Sequence, residues 1–345
     1  MSNQFPSTRF LGSKVKLLDW ISKNIENLEF DTVLDAFGGT SSFSYLMKRI
    51  GKKVYYNDLL KFNQTVAKAL IENSDKKVGL QLALDVMKKK KGRRYDTVIQ
   101  DNFGGVYYKK HENIWLDIVV QNISQIKDKY QRAILFSALY QACLIKRPFN
   151  LFHRKNLKIR TTDVKRNFGN KTTWETSFRK HFLKFINEHN KAVFDNKRRN
   201  IVIGGYDALN IPLNRYDLVY LDPPYLSKKS RINYLDCYHF LEGMSNYNSW
   251  KGRINNETGN KRMVSPKELN QWIDRNQVKE LFRKMITKYK NSIIVLSYRN
   301  DGIPSIKEIN KMFMEIKGKK PIVKTIDYKY ALSNGSTKEV LFISK

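Results

Sequence analysis

The feature that most constrains this chain is an apolar run, Tyr216-Asp217-Leu218-Val219-Tyr220-Leu221, that stops at Asp222-Pro223-Pro224-Tyr225. Such a run reads as a buried strand, and two prolines, which lack N–H donors and fix φ, end it in a preset turn. The turn carries two hydrogen-bond acceptors, the Asp222 side chain and the Pro223 carbonyl, beside the aromatic face of Tyr225. An exocyclic base amine is a poor nucleophile because its lone pair is delocalised into the ring. Two fixed acceptors draw its nitrogen toward tetrahedral geometry and free the lone pair for attack on a methyl sulfonium. The tyrosine face offers a stacking surface for an extruded base. The same four residues also suit a plain Pro-rich turn after a strand, so other parts of the chain must decide.

Composition narrows the partners. A chain of 345 residues has room for one large domain or two unequal ones. It has 64 Lys and Arg against 32 Asp and Glu, a net charge of +32. An excess of that size points to a polyanion. Anionic membrane is the weaker alternative, because no apolar run approaches the roughly 18 residues of a membrane span. The opening Met1-Ser2-Asn3-Gln4-Phe5-Pro6 lacks a signal-peptide pattern. Cys143 and Cys237 lie far apart and give no zinc spacing, which suits buried thiols in a reducing cytoplasm. His111, His153, His181, His189 and His239 form no metal-ligand spacing either, so no metal is expected.

Strand and helix patterns alternate along the chain. Asp31 to Phe37 reads as a buried strand, followed by Gly38-Gly39-Thr40-Ser41-Ser42 and a helix through Phe43, Leu46 and Ile50. Lys53 to Asp58 is a second strand that ends in an acid. Helical spacing covers Lys16 to Leu28, Asn63 to Asn73, Leu269 to Tyr289 and Ile303 to Met314, and Ile114 to Leu144 with a break near Asp128. Tyr95 to Ile99, Asn200 to Ile203 and Ser292 to Tyr298 read as further strands, and residues 322–326 and 339–343 as a closing antiparallel pair. This alternation implies an α/β sheet. The glycine loop between strand and helix lets a ligand approach the backbone closely. Asp58 lies 19 residues after Gly39, near the spacing at which an acid meets ribose hydroxyls, although a helix N-cap would also account for it. No Lys-Ser/Thr pair follows the glycines, so a phosphate cradle is not indicated.

Residues 146–199 hold 16 Lys and Arg against 4 Asp and Glu, a net of +12. Within them Lys146, Arg147, Asn150, Arg154, Lys155, Asn156, Lys158 and Arg160 alternate with aromatics. Such a block neutralises phosphates and carries the residue types that read base edges, although a solvated basic surface over an aromatic core would look similar. It is too long and polar for a crossover connection and reads as an inserted recognition domain. The polar stretch 227–263 reads as a mobile loop that could close over an extruded base, with Tyr234 and Tyr238 as candidates to fill the gap; core packing of either tyrosine fits as well.

Taken in order, Thr8-Arg9-Phe10-Leu11-Gly12-Ser13-Lys14, Asp35-Ala36-Phe37-Gly38-Gly39-Thr40-Ser41, Asn57-Asp58 and Asp222-Pro223-Pro224-Tyr225 resemble the motifs of the D12-class (alpha-group) DNA adenine-N6 methyltransferases. The resemblance runs across nearly the whole chain, except the basic insert. It implies a Rossmann-like S-adenosylmethionine-dependent methyltransferase sheet, over residues 1–100 and 200–345, with the DNA-recognition domain inserted at 101–199. It implies that Arg9, Gly12, Lys14, Asp35, Phe37, Gly38, Gly39, Thr40, Ser41, Asp58 and Asp207 form the S-adenosylmethionine site. Lys14 and the Gly12 turn would close over its methionine end, and Asp207 would contact its adenine. Asp222, Pro223, Pro224 and Tyr225 would hold a flipped target adenine. By analogy the chain would be the modification enzyme of a restriction–modification system, a cytoplasmic protein acting as a monomer on double-stranded DNA, with any endonuclease a separate polypeptide. Two positions depart from the family pattern: Ala36 stands where it has proline, and Ser41 where it has glycine. Three readings therefore stand at this point: the DNA adenine enzyme, an RNA or cytosine-N4 methyltransferase, and a DNA-binding module whose methyltransferase site has lapsed.

Overall fold

A computed structural model describes residues 4–164, 171–212, 214–227, 232–328 and 337–345. Lys165 and Arg166 of the basic block, and residues 228–231 of the expected loop, lie outside the described residues. The chain divides into two compact units. A sheet unit takes in Leu11–Ala67, Asn196–Asn233 and Ser265–Lys345; a helical unit takes in Met1–Phe10, Lys68–Asp195 and Tyr234–Val264.

The sheet unit is built on seven strands in the order β3-β2-β1-β4-β5-β7-β6. They are β1 (Thr32–Asp35), β2 (Lys53–Tyr56), β3 (Ile201–Val202), β4 (Leu218–Leu221), β5 (Ile293–Arg299), β6 (Ile322–Asp327) and β7 (Lys338–Ser344). Strands β1 to β5 run parallel, and β7 enters antiparallel between β5 and β6. All four residues of β4 are buried, as expected of a strand covered on both faces. Side chains alternate across a strand. Leu34, Val219, Leu221, Ile294, Leu296, Val340 and Phe342 share one core with Phe282, Met285 and Ile286 of the helix Val278–Lys288 and Phe313 of the helix Ile306–Lys317. On the other face Tyr220 stacks at 3.7 Å on Phe43 of the helix Ser42–Arg49. Sequence order reverses at β1, which has β2 on one side and β4 on the other. Ligands of open α/β sheets bind outside the carboxyl ends of strands at such a switch point.

The described residues of the helical unit contain no strand. The helix Lys129–Ile145 is buried on all sides from Ala133 onward, so it forms the centre, with Phe178–Ala192 packed on it. Asp128 ends the preceding segment by accepting the Tyr130 and Gln131 N–H groups at 2.9 Å each, which is the break expected there.

Several expectations are corrected. Tyr95 to Ile99 is not a strand; a helix starts at Val98 because the buried carboxylate of Asp117 accepts the Ile99 and Gln100 N–H groups at 2.9 and 3.0 Å. The stretch 234–263 is not a loose loop. Tyr234–Ser245 is a helix whose Leu235 and Cys237 to Met244 are buried, and Trp250 is fully enclosed. Tyr238 is likewise buried and stacks on Phe10 at 4.3 Å, so it is a packing residue and not a gap filler. The single helix expected over Leu269 to Tyr289 is two, Lys267–Gln271 and Val278–Lys288. The helical unit also begins well before residue 101: Asn122 donates to the Val86 carbonyl at 2.9 Å, tying the helix Leu80–Val86 to Lys110–Ser124. No helix among the described residues is long and apolar enough to cross a membrane.

Gly243 lets the Trp250 ring pack directly against the helix Tyr234–Ser245. A Cβ there would lie 1.9 Å from the Trp250 ring, and Trp250 has no exposed surface through which to yield. A glycine-to-alanine change inside a helix normally gains about 1 kcal/mol, but overpacking costs about 1–3 kcal/mol. Gly243→Ala is therefore expected to lower the melting temperature, and a rise would contradict the packing described.

Candidate active site

The carboxyl ends of β1 and β4 meet through parallel pairing. The Ala36 N–H donates to the Tyr220 carbonyl at 3.1 Å, which brings Asp35 and Asp222 to the same edge of the sheet. The glycine loop follows β1. A Cβ on Gly38 would fall 2.0 Å from the Tyr56 ring, so only glycine fits. The Tyr56 hydroxyl then donates to the Gly39 carbonyl at 2.7 Å. Ser41, the departure from the family glycine, sits at φ +66°, a left-handed conformation that costs a non-glycine residue about 1–2 kcal/mol. The backbone of this chain thus keeps the shape that glycine would favour.

Asp58 ties the loop from the next strand. Its Oδ2 accepts the Gly39 N–H at 2.9 Å and its Oδ1 accepts the Leu60 N–H at 2.8 Å. A carboxylate has about four acceptor sites, so capacity remains for a ligand hydroxyl. Asn57 joins the same network by donating to the Ala36 and Tyr206 carbonyls at 3.0 Å each. Asp35 is buried; its Oδ2 takes the Ser44 hydroxyl at 2.7 Å, while Oδ1 takes no hydrogen bond among the described residues. Phe37 packs edge-on against Trp272 at 5.0 Å.

At the end of β4, Asp222 Oδ1 receives Lys14 Nζ at 3.0 Å and the Tyr225 hydroxyl at 2.8 Å. Lys14 also reaches Glu339 Oε1 at 3.1 Å, donates to the Tyr225 hydroxyl and lies over the Tyr225 ring at 4.6 Å. Gly12, at φ +80°, makes the turn that delivers Lys14 into this cluster. Lys14 is therefore placed on the Asp222 carboxylate, whereas the sequence reading put it over the methionine end of the cofactor. Asp222 Oδ2 takes no hydrogen bond from the described residues and keeps some exposure. An acceptor with one oxygen fixed and the other open suits an incoming amine.

Other expected site residues are placed differently. The Asp207 carboxylate is committed within the unit: Oδ2 accepts Trp272 Nε1 at 2.8 Å and Gln271 Nε2 at 3.0 Å, and Oδ1 accepts the Leu209 N–H at 2.9 Å. These bonds anchor the loop that follows β3. Arg9 belongs to the helical unit, with its guanidinium 5.7 Å from the Phe185 ring and its N–H on Gln141 at 3.2 Å. Half of the basic segment turns inward. Lys146, Arg147, Asn156 and Arg160 are buried, Arg147 with only 1% of its surface exposed. Arg160 and Lys146 grip the buried Glu112 at 2.8 and 3.1 Å and hold its carboxyl below the usual range despite burial. Arg147 bonds the Leu151 and Arg154 carbonyls and Asn156, and burial pulls it down to about 10. These four shape the segment from inside. Arg154, Lys155 and Lys158 are exposed and Asn150 partly so, on a turn where Phe149 and Asn150 both have positive φ. The sequence reading missed Glu339, Trp272, Tyr56 and Glu112, because nothing in a local pattern says which distant residue a buried charge or ring will meet.

Burial raises three carboxyls here: Asp35 to about 7, and Asp58 and Asp222 to about 6. A raised folded-state value means the folded protein holds protons that the unfolded chain has released. The stability each group contributes is complete below the ordinary carboxyl value of 3.8 and is lost as pH rises through 6 to 7. Asp35→Asn removes the largest of these contributions. The unliganded variant is expected to lose less melting temperature than the wild type between about pH 5 and pH 8, and an equal loss would contradict a buried, proton-holding Asp35.

Residues 10–301 match the family described as D12 class N6 adenine-specific DNA methyltransferase. The chain is 28% identical over 350 residues to the type II methyltransferase M2.HphI of Haemophilus parahaemolyticus, covering 99% of this chain and 98% of that one. It is 24% identical to the modification methylase StsI of Streptococcus sanguinis and 25% identical to the type II methyltransferase M.FokI of Planomicrobium okeanokoites. It spans 46% of the length of each of these two. With the motif order, the parallel sheet and the Asp222 acceptor on its carboxyl edge, these matches decide among the readings left open by the sequence: the chain belongs to the D12 class of N6 adenine-specific DNA methyltransferases.

Proposed function

We propose that the chain is the modification enzyme of a type II restriction–modification system, binding S-adenosylmethionine in the sheet unit and methylating N6 of an adenine flipped out of duplex DNA. The observation that carries this reading is Asp222, with Oδ1 fixed by Lys14 and Tyr225 and Oδ2 open. Oδ2 and the Pro223 carbonyl would accept the two N6–H groups, and Tyr225 would stack on the ring. The residues at the switch point fit the cofactor. Gly38 and Gly39 leave backbone bare, Asp58 has acceptor capacity for ribose hydroxyls, and Asp35 Oδ1 is a buried acceptor suited to a charged donor. Phe37, Thr40 and Ser41 complete the loop. When bound, S-adenosylmethionine supplies a methyl group on a good leaving group, so the chain's own residues need only align the amine and exclude water.

The helical unit is assigned to DNA recognition. Its exposed Arg154, Lys155 and Lys158, with Asn150, form the phosphate- and base-contacting part of the basic segment, and the buried Arg147 and Arg160 hold that part in shape. The relatives are named as type II methyltransferases and a modification methylase, and a cognate endonuclease acting at the same site is the partner the proposed role requires. The chain is taken to act as a cytoplasmic monomer on DNA.

The direct test is transfer of labelled methyl from S-adenosylmethionine to unmethylated genomic DNA, with bulk RNA alongside, followed by nucleoside analysis. N6-methyladenine in DNA only is the expected product; label in RNA alone, or in neither, overturns the reading. Asp222→Ala should reduce turnover at least roughly 100-fold while DNA retention persists. The triple change Arg154→Ala, Lys155→Ala, Lys158→Ala should weaken DNA binding and flatten its log–log salt dependence by up to about 3. If neither affinity nor salt slope moves in the triple variant, this segment is removed from the interface.

A further inference from the structure

Glu339 lies on β7 with no exposed surface, and nothing in the amine-acceptor chemistry of Asp222 by itself calls for it. Its Oε1 meets Lys14 Nζ at 3.1 Å, the Tyr225 hydroxyl at 3.0 Å and the Ser297 hydroxyl. Lys14 and Tyr225 are the two donors that also hold Asp222 Oδ1. Lys14 thus donates toward Asp222, Glu339 and the Tyr225 oxygen, and the Tyr225 hydroxyl lies within hydrogen-bond reach of both carboxylates. A buried carboxylate retained at this position needs a reason beyond packing, because an apolar side chain of similar volume would avoid its desolvation cost.

We propose that Glu339 is a positioning residue for methyl transfer: it holds Lys14 and Tyr225 on the Oδ1 side of Asp222, and it adds negative charge beside the acceptor of the target amine. The inference rests on the reading of Asp222 as the acceptor for that amine. Among the described residues of the cluster, Glu339 is a second carboxylate beside Asp222 on the one Lys14 ammonium, and its loss removes a negative charge from beside the acceptor. The amine nitrogen gains positive charge as its lone pair forms the new bond to carbon, before it sheds one proton. A fixed negative charge beside it is worth most at that moment. Without Glu339, Lys14 and the phenol proton would concentrate on Asp222 and weaken it as an acceptor.

Among the described residues, the charged and titratable groups that face Asp222 are Lys14, Tyr225, Glu339 of β7, Asp35 of β1, Tyr220 of β4 and Tyr328 just beyond β6. Burial raises the Asp222 carboxyl most, to about 6; Lys14 opposes that rise and the Glu339 charge adds to it. Loss of Glu339 therefore lowers Asp222.

The experiment compares the full-length wild type with Glu339→Gln, Glu339→Asp and Ser297→Ala. It reads kcat and the acidic limb of kcat/KM on substrate DNA, and titrates the Asp222 carboxyl by NMR in unliganded protein carrying carbon-13 aspartate. Glu339→Gln is expected to lower kcat roughly 10- to 100-fold and to move both limb and titration to lower pH. Ser297→Ala, which keeps the charge, should leave the limb where the wild type has it. Glu339→Asp keeps the charge but withdraws the oxygen, so kcat should fall with the limb in place; this variant carries the test if Glu339→Gln does not fold. Full activity in either Glu339 variant, or a drop in Glu339→Gln with an unmoved limb and titration, overturns the proposal and leaves Glu339 a packing residue. A wild type that does not methylate DNA overturns the underlying reading instead, and the titration, which needs no turnover, still decides the electrostatic claim.

Discussion

The parallel pairing of β1 with β4 is the constraint on which the rest of the site depends. Both strands are short and buried, and their register is fixed by the hydrogen-bond ladder from Val33–Leu218 to Asp35–Tyr220. A slip of one residue would turn Val219 and Leu221 away from the shared core and carry Asp222 off the edge of the sheet. With the register set, two segments more than 180 residues apart in sequence place a glycine loop and the Asp222 carboxylate side by side. Asp58 and Asn57 then fasten the loop from β2, and Glu339 and Lys14 fasten the acceptor from β7 and the N-terminal segment.

The electrostatics follow from that enclosure. Carboxylates gathered at one sheet edge are stripped of water, and desolvation lifts Asp35, Asp58 and Asp222 toward neutrality. Lys14 is spread over Asp222 and Glu339, at 3.0 and 3.1 Å. In the helical unit Lys146 and Arg160 share one buried Glu112, and backbone carbonyls accept from Arg147. Its buried charges build a scaffold, while the exposed ones nearby remain available to a polyanion.

The sequence by itself determined much of this protein. Apolar runs bounded by acids and prolines located β1, β2 and β4 and the loops after them, because strand burial and turn chemistry are local and leave local marks. The motifs Asp35 to Ser41, Asn57-Asp58 and Asp222 to Tyr225 stand at the carboxyl ends of those strands, as their spacing implied, and the net charge pointed to the partner class. Tertiary structure decided what depends on distant neighbours. The stretch after residue 233 is polar enough to read as a loop, yet it folds as helix because Tyr238, Phe240 and Trp250 find a core. Lys146, Arg147 and Arg160 look like Arg154, Lys155 and Lys158 in a string of letters; only the placement of Glu112 and the Tyr107 and Leu151 carbonyls sends the first three inward. Asp207 was spent on Trp272, and Glu339 was drawn to Lys14, across separations no local pattern records. The physical reason is the same in each case: a buried polar group must be paired, and the partner is chosen by the fold, not by the neighbouring sequence.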